Sequence, residues 1–400
     1  MFPVVSEIPM PPMKEFIVLM ACLNALVALS IDAMLPALSI MAADLQVERE
    51  NDIQYVIGMI FGGMAIGQIF YGPVADAIGR KRTVLIGLAI YIIGTVISWG
   101  ASSLPIMLAG RFLQGLGVSA PRIVSMAIIR DRYHGRDMAY IMSLVMGVFI
   151  MVPAIAPALG QAVLHVASWR EIFLMYIAVS LSCVTWFMLR MPETLAPENR
   201  RLFKLPVILS GLKEVMHTRL TLGYTISSGL VFGGLLGYLN SSLQIFHGIF
   251  ATGDMFAVYF GILALCIGAA FFSNSALVRR HGMRKLTRMA LSGLTVASII
   301  FMSATLTGHA TLLTFMLFMG VAFFAMGLTF GNMNAMAMEP MGHMAGMAAG
   351  FIGAVSSVVS LGLGAVIGQM YDGTLLPIAT GFVILAPASL ALMRWTEKGH

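Results

Sequence analysis

The sequence predicts an all-α membrane protein: twelve transmembrane helices in two six-helix pseudo-repeat bundles. Three observations carry this prediction. Of the 400 residues, 59% are hydrophobic and 10% charged, and the mean hydropathy is +0.90, whereas a soluble domain is about 25% charged. Such a chain cannot cover its own apolar surface, so its solvent is lipid. The apolar runs are long enough to span a bilayer, which takes roughly 20 residues. A short basic loop after the second run also recurs, degenerate but in register, after the eighth.

In chain order, the apolar runs fall at roughly 16–40, 53–74, 83–101, 104–129, 138–163, 170–190, 219–243, 255–278, 286–306, 310–334, 345–370 and 375–394. Residues 1–15 form an N-terminal segment that lacks the basic region of a signal peptide: Glu7 and Glu15 outnumber Lys14, among Pro3, Pro9, Pro11 and Pro12. The second run is expected to end at Gly72-Pro73, with Asp76 and then Arg80, Lys81 and Arg82 closing a loop. Residues 191–218, with Pro192, Pro197, Pro206 and many charges, read as a cytoplasmic linker between a first bundle at 16–190 and a second at 219–394, followed by a cytoplasmic tail at 395–400. The repeated loop sets Gly79 against Gly282 and Lys81-Arg82 against Arg284-Lys285, while Asp76 pairs with Arg279, so the acid is missing from the second copy. Parallel repeats place a binding site between the halves near the bilayer midplane.

Charge placement orients the chain. Arg49 and Arg170 lie in outward loops, Arg111 and Arg122 within a helix, and the remainder of the 24 bases fall on one side. That asymmetry predicts both termini in the cytoplasm. It accounts for the net charge of +6 without a nucleic-acid partner. Cys22, Cys183 and Cys266 sit in apolar runs and read as small buried residues, with no disulfide. The histidines show no ligand spacing, so no metal is expected. Gly362-Leu-Gly364-Ala-Val-Ile-Gly368 follows no strand and has the wrong spacing for a dinucleotide loop, so no cofactor is expected and helix packing is its reading. The 33 methionines suit flexible packing and an adaptable apolar binding surface.

Asp32 lies inside the first run. An ionised acid there costs at least ~2.5 kcal/mol on insertion scales, so the protonated form is accessible and Asp32 reads as a proton-carrying group. Arg111 and Arg122 are its expected counterparts. Eleven residues is close to three helical turns, which puts both on one side of the fourth helix. A fixed cation near Asp32 would hold it ionised, and a rearranged one would release it. Pro153 and Pro157 remove backbone donors and bend the fifth helix, and small residues up to Gly160 let a neighbour approach, which reads as a gate hinge. Polar residues in the second half, Tyr224, Tyr238, Asn240 and Gln244 in the seventh helix with Asn332 and Asn334 in the tenth, are the substrate-binding candidates; interhelical hydrogen bonding is their other reading.

Together these residues resemble the drug:proton antiporters of the major facilitator superfamily, specifically the Bcr/CflA-type exporters, over nearly the whole chain. Ile31-Asp-Ala-Met-Leu-Pro-Ala-Leu38 is similar to that group's first-helix signature, Gly72 to Arg82 to the superfamily loop, Arg111-Phe-Leu-Gln-Gly-Leu-Gly117 to the proton-linked motif, and Pro153 to Gly160 to the antiporter motif. Two departures stand out: Ala156 and Gln161 replace glycines of the antiporter motif, and Ala33-Met34 replaces the aromatic-containing dipeptide after the acid. The resemblance implies the major facilitator fold and a monomeric multi-pass exporter of the cell inner membrane, not an enzyme. It would drive small, largely apolar compounds outward with protons, with Gly72, Asp76, Gly79 and Arg80 governing the conformational cycle. The alternatives are a proton symporter importing a metabolite, which would want more buried charge in the second half, and a membrane-embedded sensor or enzyme, which would want an acid/base pair or a soluble domain.

Overall fold

A computed structural model describes residues 9–200 and 203–398. Pro3 and Glu7, Arg201 of the linker and the last two residues lie outside that range. The described residues form fourteen α-helices joined by short turns: α1 (Met13–Asp32), α2 (Leu38–Asp44), α3 (Tyr55–Ile78), α4 (Arg80–Trp99), α5 (Leu104–Arg132), α6 (Gly135–Val166), α7 (Arg170–Arg190), α8 (Leu205–His217), α9 (Arg219–Gln244), α10 (Phe256–His281), α11 (Met283–Leu306), α12 (Leu312–Met338), α13 (Ala345–Gln369) and α14 (Leu376–Glu397). Taking α1 and α2 as one span, 12 are long and apolar enough to cross a membrane. Helices suit lipid because every backbone polar group is satisfied within its own segment.

Three local features differ from the sequence expectation. The second span does not stop at Gly72-Pro73. It runs through Pro73 to Ile78 and ends at Gly79, whose φ of 104° no β-carbon-bearing residue adopts cheaply. The expected loop is thus a single residue, and α4 starts at Arg80. The helix tolerates Pro73 because it removes only one backbone donor near the end, where water and neighbours resolvate the freed carbonyl. Gly282 repeats the device between α10 and α11 with φ 75°.

The first span, conversely, is broken. α1 stops at Asp32, a 3₁₀ turn covers Leu35–Ala37, and α2 resumes at Leu38. Pro36 explains the break, since it cannot donate to the Asp32 carbonyl. The linker also carries a helix of its own, α8.

The halves meet along α3 and α13, and along α6 and α10. At Gly350 and Gly353 of α13 an added Cβ would lie 2.5 Å from the Gln68 carbonyl oxygen and 2.2 Å from its Oε1, so the contact there is backbone-close. Gly364, within the glycine run read as a packing motif, lets α13 lie against Leu236 of α9.

Candidate functional site

A cavity of about 170 Å³ lies between the halves. Val27, Ala28, Ile31 and Asp32 reach it from α1, Arg122 from α5 and Pro153 from α6. The second half closes it with an aromatic wall that includes Phe232, Phe260, Phe323 and Phe330. Asp32 and Arg122 are the charged groups among the described lining residues. The volume is below the ~300–1,000 Å³ of typical drug-sized sites, so a ligand must displace part of the phenylalanine wall. Asp32 is 5% exposed. It sits roughly 28 Å along α1, at 1.5 Å per residue, where the helix ends.

That end is held from two sides. The last carbonyls of a helix lack intrahelical donors, and a cation there also meets the negative end of the helix dipole. Arg111 fills this place. Its Nη2 donates to the Ser30 carbonyl (2.8 Å), its Nε to the Val56 carbonyl (3.1 Å) and its Nη1 to Gln114 Oε1 (2.7 Å), and it is fully buried. Gln114 Nε2 in turn donates to Thr95 Oγ1 (2.8 Å), and the Ser30 and Tyr91 hydroxyls lie 2.6 Å apart. Arg111 therefore ties α1 to α3 and α5 through neutral acceptors. The structure brings Arg122, rather than Arg111, onto the cavity with Asp32. Arg111 is turned into the packing of α5 against α1 and α3, whereas Arg122 borders the cavity. Arg111 holds the backbone two residues before Asp32. Arg111→Lys should keep the charge but lose the planar fork, and Arg111→Ala should leave buried carbonyls without donors, at roughly 1–3 kcal/mol for such a group. Thermal unfolding in detergent should therefore rank wild type above Lys above Ala.

The second hold is α6. A Cβ added to Gly160 would stand 1.7 Å from the Ala33 carbonyl oxygen, so α6 rests directly on the break behind Asp32. α6 continues through Pro153 and Pro157, and Pro153 reaches the cavity.

At the basic end, Asp76 lies inside the last turn of α3, not beyond it. Arg80 Nη1 donates to Asp76 Oδ1 (2.5 Å) and Nε to Asp131 Oδ2 (2.9 Å), with the Arg80 side chain 6% exposed. The N-terminus of α4 is capped from the linker. Glu193 accepts from the backbone N–H of Arg80 (2.8 Å) and Lys81 (3.2 Å), and from those of Thr194 and Leu195. In the sequence Glu193 is one of the many charges of the linker. The signal was an acid directly after the sixth run, opposite a helix whose own preceding residue, Gly79, carries no capping side chain. Gly72 faces the start of α13: its added Cβ would lie 3.9 Å from the Gly346 carbonyl oxygen. Asp76→Asn leaves Arg80 one carboxylate, so turnover should fall by up to roughly five-fold, the scale of one partly exposed ion pair, with substrate affinity unchanged. Paired transport and binding measurements check this.

The six substrate-binding candidates lie off the described cavity wall. The Tyr224 hydroxyl donates to Glu397 Oε1 (2.9 Å) at the basic end. Tyr238 is buried behind the wall, stacked on Phe260 at 6.0 Å and edge-on to Phe323 at 5.3 Å. Asn240 Nδ2 donates to the Gly364 carbonyl (3.0 Å), and Asn332 Nδ2 to Asn274 Oδ1 (2.9 Å). Asn334 is half-buried on α12. Tyr224, Asn240 and Asn332 thus bond to other helices, as expected where an unpaired polar group in lipid costs several kcal/mol, whereas the Tyr238 hydroxyl is buried without a hydrogen-bond partner among the described residues.

Gln244 belongs to a clasp at the end opposite the basic one. Gln54 Nε2 donates to Gln244 Oε1 (2.8 Å), and Gln244 Nε2 to Asn51 Oδ1 (3.1 Å). Asn51 Nδ2 donates to the Tyr371 carbonyl (2.8 Å), and Gln369 Nε2 to the Asn51 carbonyl (2.7 Å). The clasp joins the first half to α9 and α13 without using charge. Gln244→Leu removes two interhelical bonds at ~0.6 kcal/mol each, an opening bias of roughly eight-fold. Labelling of Leu239→Cys on the cavity wall by an impermeant maleimide from that side should accelerate accordingly.

A dozen spans folded as paired repeats around a cavity with one acid define a membrane transporter. The chain belongs to the Major Facilitator Superfamily, whose family model matches residues 20–365. It is 29% identical to a bicyclomycin resistance protein homolog of Haemophilus influenzae, with 91% of each chain covered. It is 28% identical to the MFS-type transporter YdgK of Bacillus subtilis, covering 95% of each, and 27% identical to multidrug resistance protein D of Escherichia coli, covering 85% of this chain and 86% of that one. Among solved structures, the xylose transporter XylE from E. coli, partially occluded and inward open, superimposes with a TM-score of 0.73 at 14% identity, covering 97% of this chain and 99% of that one. The human organic anion transporter MFSD10 gives 0.69 at 17%, covering 96% and 100%. These two likenesses concern the fold.

Proposed function

We propose that the protein exports small, largely apolar compounds across the cell inner membrane in exchange for protons, by alternating access of the central cavity. The basic end, with both termini, faces the cytoplasm, and the amide clasp faces outward. The observation that carries this reading is the cavity itself: Asp32 and Arg122 line it from the first half, facing an aromatic wall from the second. Asp32 carries the proton, and Arg122 is the cation that favours its ionised form when the two approach. Gly72, Asp76, Gly79 and Arg80 govern the conformational cycle at the inner end, and Pro153, Pro157 and Gly160 at the first-span break. A symporter for a polar metabolite is disfavoured because the wall supplied by α9, α10 and α12 is apolar. The names of the H. influenzae and E. coli relatives support a drug as cargo.

The energetics suffice. A proton crossing ~100 mV releases about 2.3 kcal/mol, and one pH unit adds about 1.4 kcal/mol, which together sustain a gradient of several hundred-fold for a neutral compound. The test uses inverted membrane vesicles acidified inside, with bicyclomycin and a neutral lipophilic dye as probes. Accumulation that collapses with a protonophore is expected. Accumulation that persists without the gradient, or runs outward from these vesicles, contradicts the reading.

A further inference from the structure

The linker helix α8 (Leu205–His217) is unused by the transport reading. Its sector facing the protein is clear. Ile208 is 3% and Val215 0% exposed, and Gly211 lets α8 seat on the start of α13, where an added Cβ would stand 3.0 Å from Met344 Cε and 3.1 Å from Phe351 Cε2. At about 100° per residue, the next sector round the helix holds Leu212, Met216 and Leu209. Leu212 is half-buried, yet Met216 is 43% and Leu209 56% exposed. Lys213 follows immediately, His217, Ser210 and Glu214 form the far side, all exposed, and the exposed Val207 separates Glu214 from the protein-facing sector. Helix α8 thus presents three sectors in order: protein, apolar but uncovered, and polar with a lysine on the border.

That order fits one occupant. α8 lies at the basic end against α13 and beside α9, both long and apolar enough to cross a membrane, so the membrane surface is within reach of α8. The exposed bases in and next to this segment, Arg200, Lys204, Lys213 and Arg219, outnumber the exposed acids Glu198 and Glu214. An apolar sector bordered by lysine on a helix of high amphipathicity is the pattern of interfacial membrane helices. Lysine stems lie along the apolar surface while their heads reach the phosphates. We propose that α8 is an interfacial helix that docks on anionic phospholipid of the leaflet at the basic end, with Leu209 and Met216 among the acyl chains and Lys204 and Lys213 on the headgroups. The linker between the two halves is thereby anchored to the bilayer.

The test reads lipid contact, not transport, so it stands or falls apart from the exporter proposal. Spin labels are placed at Leu209→Cys, Met216→Cys, Ser210→Cys and His217→Cys in the full chain, with Cys22, Cys183 and Cys266 changed to serine. The protein is reconstituted in nanodiscs with or without phosphatidylglycerol. Labels at 209 and 216 should collide with oxygen in preference to a water-soluble nickel chelate, and labels at 210 and 217 the reverse. Lys204→Ala with Lys213→Ala should lower phosphatidylglycerol retained in native mass spectrometry by roughly 30-fold, equivalent to about 1 kcal/mol per lysine. Labels at 209 and 216 as wet as those at 210 overturn the proposal, as does cross-linking of Leu209→Cys to a second copy of the chain. Unchanged phosphatidylglycerol retention overturns the headgroup contact.

Discussion

Asp32→Asn should reduce gradient-driven transport to the level of protein-free liposomes while leaving the fold intact. The substitution keeps the volume and shape of the side chain and removes its ionisable proton. Asp32 is the acid among the described cavity residues, and the second half offers no replacement on the wall. Exchange of substrate down its own gradient needs no proton and should survive. Loss of both activities together would instead mark Asp32 as a structural residue, and full proton-driven transport would remove it from the coupling mechanism.

Gly160→Val should be as damaging by a different route. The position has no room, because even a Cβ would stand 1.7 Å from the Ala33 carbonyl oxygen and 2.7 Å from its carbon. α6 or the break after Asp32 must move. Overpacking of this kind costs typically ~1–3 kcal/mol, and the displaced segment is the one that aims Asp32 at the cavity. Transport should fall to background, and the unfolding temperature should drop. A control at Gly147 of the same helix, where an added Cβ meets nothing within 4 Å, should leave both near wild type. Equal behaviour of the two variants would show that α6 does not set the position of Asp32.

The parts of this architecture legible from sequence were those set by local chemistry. Apolar runs predict spans because lipid leaves the backbone no other arrangement. The Gly79 and Gly282 repeat was legible because only glycine takes that φ freely. Asp32 and Arg122 were legible because charge in an apolar run is costly. What escaped depends on which way a helix faces. Asn240, Asn332 and Gln244 are polar in apolar runs, as a binding residue would be, yet their partners are Gly364, Asn274 and Asn51 on other helices. Phe232, Leu235 and Leu239 recur at helical spacing, but a cavity wall and a lipid-facing surface have the same composition. Glu193 acts on a helix more than a hundred residues away in sequence, and Pro73 does not stop α3 because a proline near a helix end removes only one backbone bond.

The central claim is that proton and substrate meet at one acid-bearing cavity. Its most direct test is proton release on substrate binding to the purified protein in weak buffer, read with a pH dye. If Asp32 gives up its proton as substrate enters, binding releases protons, and by linkage substrate affinity rises with pH. Asp32→Asn should bind substrate, release no protons and lose the pH dependence. Equal proton release by wild type and Asp32→Asn would place the coupling group elsewhere and contradict the claim.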